Sequence, residues 1–418
     1  MRVSHLLIII SSYCFVESIS PVWASSAAAP TGCPTPTPSA SSPAPTEYSV
    51  LSALYQSTDG ANWEHKKHWM CGWPCQHSKH WEGVTCEHGI HPGEDEVKWI
   101  HLEGRGLNGP LPSELGLLTT KLGALLLGYN SFAGLFPSEL GQLSALNTGM
   151  DFSYNSFYGA LPTQLGRLTS SVMGFSVRDN FFTGTLPTEL GEMQASWIWE
   201  YENLKNNNIT FESPEIPSQF GLFLAEPRGP TGLTFDNNNI SGMLPTQLGR
   251  MTNMSQGLSF GSNQFTGDIP TELGLLRKTK SGLALSTCNF SGTIPTQLGM
   301  LTQLRMGLTF YSQKGIGLHG TIPTQLGRFS QMYNILALYS NRLTGPLPTQ
   351  IGKLTHMLGQ INLHTNSLSN NIPTELGGLT NYHEKLFFQS NRFNGSLPTE
   401  LGMMRVNGKF IEKCLQLL

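Results

Sequence analysis

Residues Gly159–Leu168 read GALPTQLGRL, and the core of this stretch decides the architecture of the chain. The pattern Pro-[Ser/Thr]-[Glu/Gln]-[Leu/Phe/Ile]-Gly occurs twelve times, and eight of the eleven gaps between successive prolines are 25 residues. The twelve prolines are Pro112, Pro137, Pro162, Pro187, Pro217, Pro245, Pro270, Pro295, Pro323, Pro348, Pro373 and Pro398. A fixed period of this length is typical of a solenoid, in which each unit buries its apolar face only against its neighbours. The repeat therefore predicts one elongated body.

The composition of the 418-residue chain excludes some classes of function. Charged residues make up 13% of the chain, about half the usual share. The net charge is −3 and no basic stripe appears, so we expect no nucleic-acid partner. After the first residues of the chain, no apolar run approaches the roughly 20 residues that a membrane span needs. The sequence contains no Ser-His-Asp context, nucleotide-binding loop or kinase motif, so we expect neither an enzyme nor a cofactor.

The first 46 residues lie outside the repeats and divide into two segments. Residues 1–24 have the features of a secretory signal peptide: Arg2, the apolar run Leu6–Val16 and a small-residue cleavage site at Val22–Ala24. A membrane anchor is the alternative, but the apolar run is short for one. Residues 25–46 are rich in Ser, Thr and Pro, which predicts either an extended, O-glycosylated spacer or a disordered leader. We therefore expect a secreted or cell-surface protein, in a compartment where cysteines can pair.

An ordered cap is predicted to begin at Glu47. Thr46 is expected to be the N-cap of a helix and Asp59-Gly60 to end it. Four apolar residues share one face of this helix: Val50, Leu51, Leu54 and Tyr55. A cluster of tryptophans and cysteines follows: Trp63, Trp69, Cys71, Trp73, Cys75, Trp81 and Cys86. Because the first unit of a solenoid has no neighbour to cover it, this segment is expected to close the end of the core.

Three motifs in this segment point to a family. ALYQSTDGANW (Ala53–Trp63), HW (His68–Trp69) and WEGVTC (Trp81–Cys86) resemble the N-terminal cap of plant-type leucine-rich repeat proteins. The repeats that follow, up to about Gly402, resemble the consensus L-x-x-L-x-L-x-x-N-x-L-x-G-x-I-P-x-x-L-G of the same family. Secreted polygalacturonase-inhibitor proteins and the ectodomains of receptor-like proteins share this layout.

The resemblance implies an α/β solenoid. We expect a leucine-rich repeat superhelix with a concave parallel β-sheet, short helical turns on the convex side and a helical N-terminal cap. The cap is expected over residues 47–95. About twelve repeats and a truncated thirteenth are expected over residues 96–418.

One repeat, Val172–Pro187, shows the expected roles. Phe175 and Val177 alternate as a short strand. Asn180 then occupies the position at which the family's asparagine bonds the backbone of neighbouring coils. Nine units have asparagine there, namely Asn130, Asn155, Asn180, Asn207, Asn238, Asn263, Asn341, Asn366 and Asn391; the exceptions are Arg105, Cys288 and Gln313. Cys288 is predicted to be a buried residue of this ladder.

The second half of each repeat is expected to return the chain along the convex side. An apolar residue two positions after the asparagine is expected to form a spine inside the coil. A glycine next allows the backbone to turn, and Asn370 replaces it once. The proline then opens a single helical turn, which the following glycine is expected to close.

The side chains that flank the inward residues of each strand are predicted to form a hydroxyl-rich, mildly aromatic and weakly charged concave face. The candidate partner-binding residues are Asp151, Ser153, Tyr154, Arg178, Asp236, Tyr311, Tyr339, His364 and Gln389. Such a face suits hydrogen bonding to a glycan or an extended polypeptide, and ordinary solvated strand surface is the alternative for any single residue. Three insertions, near residues 197–207, 226–231 and 314–317, are either part of a binding site or neutral loop variation.

The cap contains a second candidate site. His65, His68, His77 and His80 lie among its cysteines at spacings that would suit zinc. The family resemblance instead implies a disulfide, with Cys75–Cys86 favoured over Cys71–Cys86, so no metal is expected.

Five sequons predict N-glycosylation, at Asn208, Asn239, Asn253, Asn289 and Asn394.

The end of the chain is unusual for the family. A thirteenth strand is predicted to begin at Phe410-Ile411, and the paired cysteines of a typical C-terminal cap do not follow it. An uncovered solenoid end exposes core. Association through this end, truncation and an unusual cap are the alternatives.

The sequence predicts a secreted or cell-surface binding protein, similar to a receptor ectodomain. Its partner is expected to be an extracellular protein or polysaccharide, recognised through the concave face. An inhibitor of an extracellular wall-degrading hydrolase, and a glycosylated adhesion or matrix component, are the alternatives.

Overall fold

The computed structural model describes residues 45–75, 80–87, 96–119, 122–168, 174–192, 204–210, 232–311, 317–382, 384, 386–406, 409–410 and 415–416. In these residues the repeats form parallel sheets and a series of short helical turns around one continuous apolar core. The predicted leucine-rich repeat solenoid is confirmed. The signal peptide, the spacer and most of the three insertions lie outside the described residues, so those predictions stay open.

The concave sheet consists of strands one repeat apart. Its first part contains Val84–Glu87, Glu96–His101, Ala124–Leu126, Gly149–Asp151 and Phe175–Ser176. Its second part contains Leu233–Thr234, Leu258–Ser259, Gly282–Ala284, Gly307–Thr309, Ile335–Ala337, Gln360–Asn362, Leu386–Phe387 and Leu415–Gln416. All pairs are parallel except the first, in which the cap strand Val84–Glu87 runs antiparallel to its neighbour. Because the register advances by whole repeats, equivalent side chains line up in columns across the sheet.

A second set of parallel strands, which we call the lateral sheet, follows the asparagine position of each repeat. Its strands are Asn108–Gly109, Ser131–Leu135, Ser156–Gly159, Phe181–Thr185, Asn208–Thr210, Ser241–Met243, Gln264–Gly267, Asn289–Phe290, His319–Thr321, Arg342–Pro346, Ser367–Asn370 and Arg392–Phe393. Sequence reasoning assigned only turns and an apolar spine here. The alternation of a buried Phe157 with a half-buried Ser156 and an exposed Tyr158 is the period-two signal that would have revealed it.

The predicted helical turns are 3-10 helices. They span Ser113–Leu117, Ser138–Gln142, Thr163–Arg167, Thr188–Glu192, Thr246–Arg250, Thr271–Leu275, Thr296–Met300, Thr324–Arg328, Thr349–Lys353, Thr374–Gly378 and Thr399–Met403. The prediction that glycine closes each turn is wrong, because Gly166 lies inside Thr163–Arg167. A Cβ atom on Gly166 would lie 2.3 Å from the backbone oxygen of Glu189 in the next turn. The glycine is therefore required by the close stacking of successive turns.

The asparagine ladder forms as predicted. The Asn263 side chain is fully buried; its Oδ1 accepts a hydrogen bond from the backbone N–H of Ile240 (3.1 Å), and its Nδ2 donates to the carbonyls of Phe235 (2.8 Å) and Phe260 (3.1 Å). The other eight predicted asparagines make the equivalent bonds to the preceding repeat and to their own. Cys288 is buried at the same position, with Sγ 3.3 Å from the Phe260 carbonyl oxygen. Gln313 lies outside the described residues.

The spine and the backbone turns also agree with prediction. The rings of Phe157 and Phe182 stack with centroids 6.1 Å apart, as do those of Phe265 and Phe290. The glycine before x-[Leu/Ile/Phe]-Pro has positive φ in ten repeats, and Asn370 adopts φ 65° where it replaces the glycine. Only glycine and, to a lesser degree, asparagine tolerate this geometry without strain.

The cap closes the N-terminal end of the core. Its helix, Pro45–Ser57, begins at Pro45 rather than after Thr46, so Thr46 is not the N-cap; the fixed φ of proline suits the first helical turn. The rings of Trp63, Trp69 and Trp81 are buried and in contact, with centroids 4.7 and 4.8 Å apart. They fill the space that a preceding repeat would occupy.

The predicted position of the thirteenth strand is wrong. Arg405–Val406 and Lys409–Phe410 form a small antiparallel hairpin, so Phe410 cannot join the parallel sheet. The strand that continues the concave sheet is Leu415–Gln416, which pairs with Leu386–Phe387.

Replacing Asn263 by alanine is expected to lower the free energy of unfolding by about 3 kcal/mol, because several buried backbone groups lose their partner. Urea denaturation followed by circular dichroism measures this. Cys288→Ala is the matched control at the same position of the next repeat, and its weaker sulfur contacts predict a loss of only about 1 kcal/mol. Equal losses in the two variants would contradict the role assigned to the amide.

Removing the cap disulfide with the double variant Cys75→Ser/Cys86→Ser is expected to lower cap stability by about 3 kcal/mol, the value typical of a short closed loop. Tryptophan fluorescence during thermal unfolding reports on the cap, because four of the eight tryptophans lie there. An unchanged melting temperature would show that the tryptophan cluster alone holds the cap together.

Candidate functional site

All nine residues predicted to bind a partner lie on or directly beside the concave strands. The structure gathers most of them into two groups. Tyr311, Tyr339, His364 and Gln389 form one group in the C-terminal half. Asp151, Ser153, Tyr154 and Arg178 form the other in the N-terminal half, and Asp236 lies between the two groups.

The C-terminal group contains a continuous stack of rings, which we call the aromatic ladder. The Tyr311 and Tyr339 rings have centroids 4.4 Å apart and an interplanar angle of 10°. The imidazole of His364 stacks on the other face of Tyr339 at 4.5 Å and 22°. The three residues come from successive strands, so the regular strand spacing sets the spacing of the rings.

Two amides beside the ladder lack hydrogen-bond partners. The Oδ1 atom of Asn362 and the Oε1 atom of Gln389 are buried, and no donor contacts them within the described part of the chain. A buried polar atom without a partner costs about 1–3 kcal/mol. Both side chains are half-buried members of the concave columns, so rotation of either amide would present its oxygen to a ligand N–H group. Asn362 was missed among the candidate site residues because a sequence does not show whether an amide is paired.

Tyr339 and His364 of the aromatic ladder are uncharged near neutral pH. Burial, together with the neighbouring Tyr311, raises the pKa of Tyr339 to about 12. Burial lowers the pKa of His364, whose Nδ1 lies 2.8 Å from the hydroxyl of Thr365. The ladder therefore favours an apolar or uncharged part of a ligand.

The N-terminal group is more polar. The Tyr129 and Tyr154 rings stack at 4.3 Å, and the Arg178 guanidinium lies 4.8 Å from the centroid of Tyr154. Arg178 also donates to the Tyr154 hydroxyl and, at 3.0 Å, to Asp179. Desolvation and the neighbouring Tyr154 raise the pKa of Tyr129, which is 60% exposed. This group presents a cation and phenols whose positions are fixed before any ligand arrives.

Ser153 and Asp151 support the N-terminal group from within. Ser153 is largely buried, and its backbone N–H donates to Asp151 Oδ1 at 2.8 Å. Asp151 thereby fixes the backbone that leads to the exposed tyrosines.

Asp236 has a role in linking repeats. Its carboxylate accepts hydrogen bonds from the Ser259 hydroxyl and the Gly261 N–H, both at 2.6 Å. Nearby, Gly232, Gly257 and Gly282 line a shallow hollow of about 270 Å³. The middle of the concave face therefore presents backbone and small side chains.

The cap cysteines do not form a metal site. Cys75 and Cys86 form the predicted disulfide, and Cys71 is also disulfide-bonded. These sulfur atoms are not available as thiolate ligands. His77 lies outside the described residues, and no group of three His, Cys, Asp or Glu side chains elsewhere in the described ranges is arranged to hold a metal.

Most of the predicted glycosylation sites fall on the lateral side. Asn208, Asn239 and Asn289 each directly follow the asparagine-ladder position of their repeat. Asn394 directly follows the strand Arg392–Phe393. Asn253 differs, because it follows a convex helical turn and accepts a hydrogen bond from Lys278 Nζ at 2.8 Å. Glycans at these positions would leave the concave face open.

No helix in the described ranges combines the length and the apolar character needed to cross a lipid bilayer.

Comparison with known proteins gives relatives at the level of structure. The sequence matches no protein-family model and no curated protein. Among solved structures, a TDR receptor is similar with a TM-score of 0.54 and 27% identity, over 73% of this chain and 57% of that one. The Arabidopsis receptor kinase HAESA, in complex with the peptide hormone IDA and the co-receptor SERK1, is similar with a TM-score of 0.59 and 22% identity, over 86% of this chain and 64% of HAESA. A plant ice-binding protein is similar with a TM-score of 0.55 and 18% identity, over 84% of this chain and 96% of that one.

The last two similarities, below 25% identity, concern the fold alone. This chain spans less than two thirds of the TDR and HAESA chains. The asparagine ladder, the cap and the TDR receptor comparison nevertheless agree with one another: the chain has the leucine-rich repeat fold and is similar to a TDR receptor.

Proposed function

We propose that this chain is a non-enzymatic binding protein, secreted or at the cell surface, that holds an extended polypeptide segment against the C-terminal half of its concave face. The observation that carries this proposal is the aromatic ladder with its two unpaired amides. Tyr311, Tyr339 and His364 supply the apolar contact, and Asn362 and Gln389 supply the polar contact.

A polypeptide fits this combination because its backbone presents N–H donors at regular intervals. An N–H group placed at Asn362 or Gln389 would satisfy an oxygen that lacks a partner, which gains more than a new exposed hydrogen bond would. Aromatic side chains are enriched at the centres of protein interfaces because they bury a large area with few rotatable bonds.

The ladder is also rigid before binding. Its rings are stacked on one another and rise from strands whose register is fixed by the sheet, so little side-chain entropy remains to be lost on binding. Two residues before Tyr311 and Tyr339, the strands carry small side chains: Thr309 is half-buried and Ala337 is fully buried. An extended ligand can therefore lie close to the sheet.

One of the similar receptors supports this proposal. HAESA binds a peptide hormone and a co-receptor, and it shares the fold of this chain. The N-terminal group around Arg178 would then be a second contact region, for another part of the same ligand or for a second protein.

Two other functions remain as alternatives. An inhibitor would use the same face to cover an extracellular wall-degrading hydrolase. An adhesion or matrix component would use it to hold bulk polysaccharide.

The variant Tyr339→Ala is expected to weaken binding of selected peptides by about 10- to 100-fold, as is typical when a central interface aromatic is removed. Peptides would be selected from a displayed random library on the immobilised full chain, and their affinities measured by surface plasmon resonance. Tyr333→Ala is the matched control, because Tyr333 is 40% exposed and lies outside the ladder.

Equal binding to both variants would contradict the proposed site. If the immobilised wild-type chain retains a wall-degrading hydrolase and the bound hydrolase loses its activity, this result would support the inhibitor alternative. Retention of bulk polysaccharide that depends on Tyr339 would support adhesion.

The contribution of His364 to stability is expected to depend on pH. Its pKa is lowered in the folded chain, so unfolding takes up a proton in mildly acidic solution. The stabilisation is therefore complete above the unfolded value of about 6.5, and it is lost as pH falls through the lower folded value. The difference in melting temperature between the wild type and His364→Gln should shrink from pH 7.5 to about pH 4.5. A difference that stays constant over this range would contradict the lowered pKa.

A further inference from the structure

An exposed apolar row crosses the first strands of the lateral sheet, away from the concave face. Leu135, Tyr158 and Phe181 are 67%, 53% and 63% exposed. Leu135 pairs in register with Tyr158, and Tyr158 pairs with Phe181. The three side chains therefore form one contiguous row over three neighbouring strands.

The outward-facing side chains beside this row, on the same three strands, carry no charge. The outward-facing residues on the same strands are Ser131, Ala133, Ser156, Thr183 and Thr185, and Ala160 lies next to them. In contrast, the later lateral strands expose Arg342 and Arg392. The row is thus an apolar strip bordered by hydroxyl groups, on the uncharged part of the lateral sheet.

The size of the row limits what it binds. If each side chain contributes about 200 Å² when fully exposed, the row exposes on the order of 350 Å². A contiguous apolar patch of this size is often functional. A stable protein partner or a second copy would need to cover about 800 Å² on each side, which the row does not provide. A single narrow polymer chain matches its shape better.

We propose that this row binds a neutral polysaccharide. One face of a pyranose ring consists of C–H groups and packs on the rings of Tyr158 and Phe181, while the hydroxyl groups at its rim bond to Ser156 and Thr183. An acidic polysaccharide would require cations, and the outward-facing residues of these three strands provide none. The site lies on a different face from the aromatic ladder, so this proposal can be tested independently of the proposed polypeptide site.

Affinity electrophoresis of the full chain tests this proposal. The gels contain a soluble neutral β-glucan, polygalacturonate or no polysaccharide. The neutral glucan is expected to retard the wild-type chain, and polygalacturonate is not. The double variant Tyr158→Ala/Phe181→Ala is expected to weaken the glucan affinity at least tenfold, whereas Tyr333→Ala leaves it unchanged. Because Tyr158 and Phe181 are more than half exposed and Tyr333 is 40% exposed, the melting temperatures should stay close to the wild-type value, which separates lost binding from lost folding.

Three results would overturn the proposal. The first is no retardation by neutral glucan, or retardation that the double variant retains. The second is a concentration-dependent dimer in analytical ultracentrifugation that the double variant abolishes, because the occupant is then a second copy. The third is retardation that appears only in Asn208→Gln. Asn208 pairs with Thr183 on the adjacent strand, and this result would mean that the chain's own glycan covers the row.

Discussion

The buried asparagine amide is the interaction on which the rest of the structure depends. Each coil of the chain must turn sharply between the concave and lateral strands, which leaves backbone groups without partners inside the protein. One side chain per repeat satisfies them, as Asn263 does for groups of Ile240, Phe235 and Phe260. Because its partners belong to two repeats, the amide also fixes how neighbouring coils are placed. This contact therefore helps to set the register of both sheets. The register in turn aligns the columns of side chains on their surfaces.

Most of the scaffold could be predicted from the sequence because its constraints are local and repeated twelve times. Asn180, the positive-φ glycine and Pro187 each have one physical reason to occupy their positions, and each recurs at the same spacing. The lateral sheet was missed because its strands are short and share residues with the apolar spine. The helix-closing role given to Gly166 was wrong for a different reason. The glycine is required because the backbone of Glu189 in the next coil leaves no room for a Cβ atom. A contact between coils is not visible within a single repeat.

The candidate site could be predicted only in part. The columns of the concave face follow from the period, so the residues of the aromatic ladder were identified as neighbours. Their stacking depends on side-chain rotamers, and the unpaired state of Asn362 depends on everything around it. Asp236 shows the opposite case, since its charge suggested a ligand contact while its oxygens accept bonds from Ser259 and Gly261. Side-chain identity shows which chemistry is available, and the neighbours determine how much of it faces solvent.

The stacked glycines of the helical turns have a further consequence for the shape of the molecule. The curvature of a solenoid depends on the difference between the spacing of its strands and the spacing of the elements behind them. Backbone contact at positions such as Gly116, Gly141 and Gly166, where a Cβ atom would lie within 2.4 Å of the next turn, keeps the convex spacing small. A small difference gives a wide radius. A repeat of this kind therefore favours a shallow trough over a tight horseshoe, and the length of polymer that such a face can contact increases with every repeat.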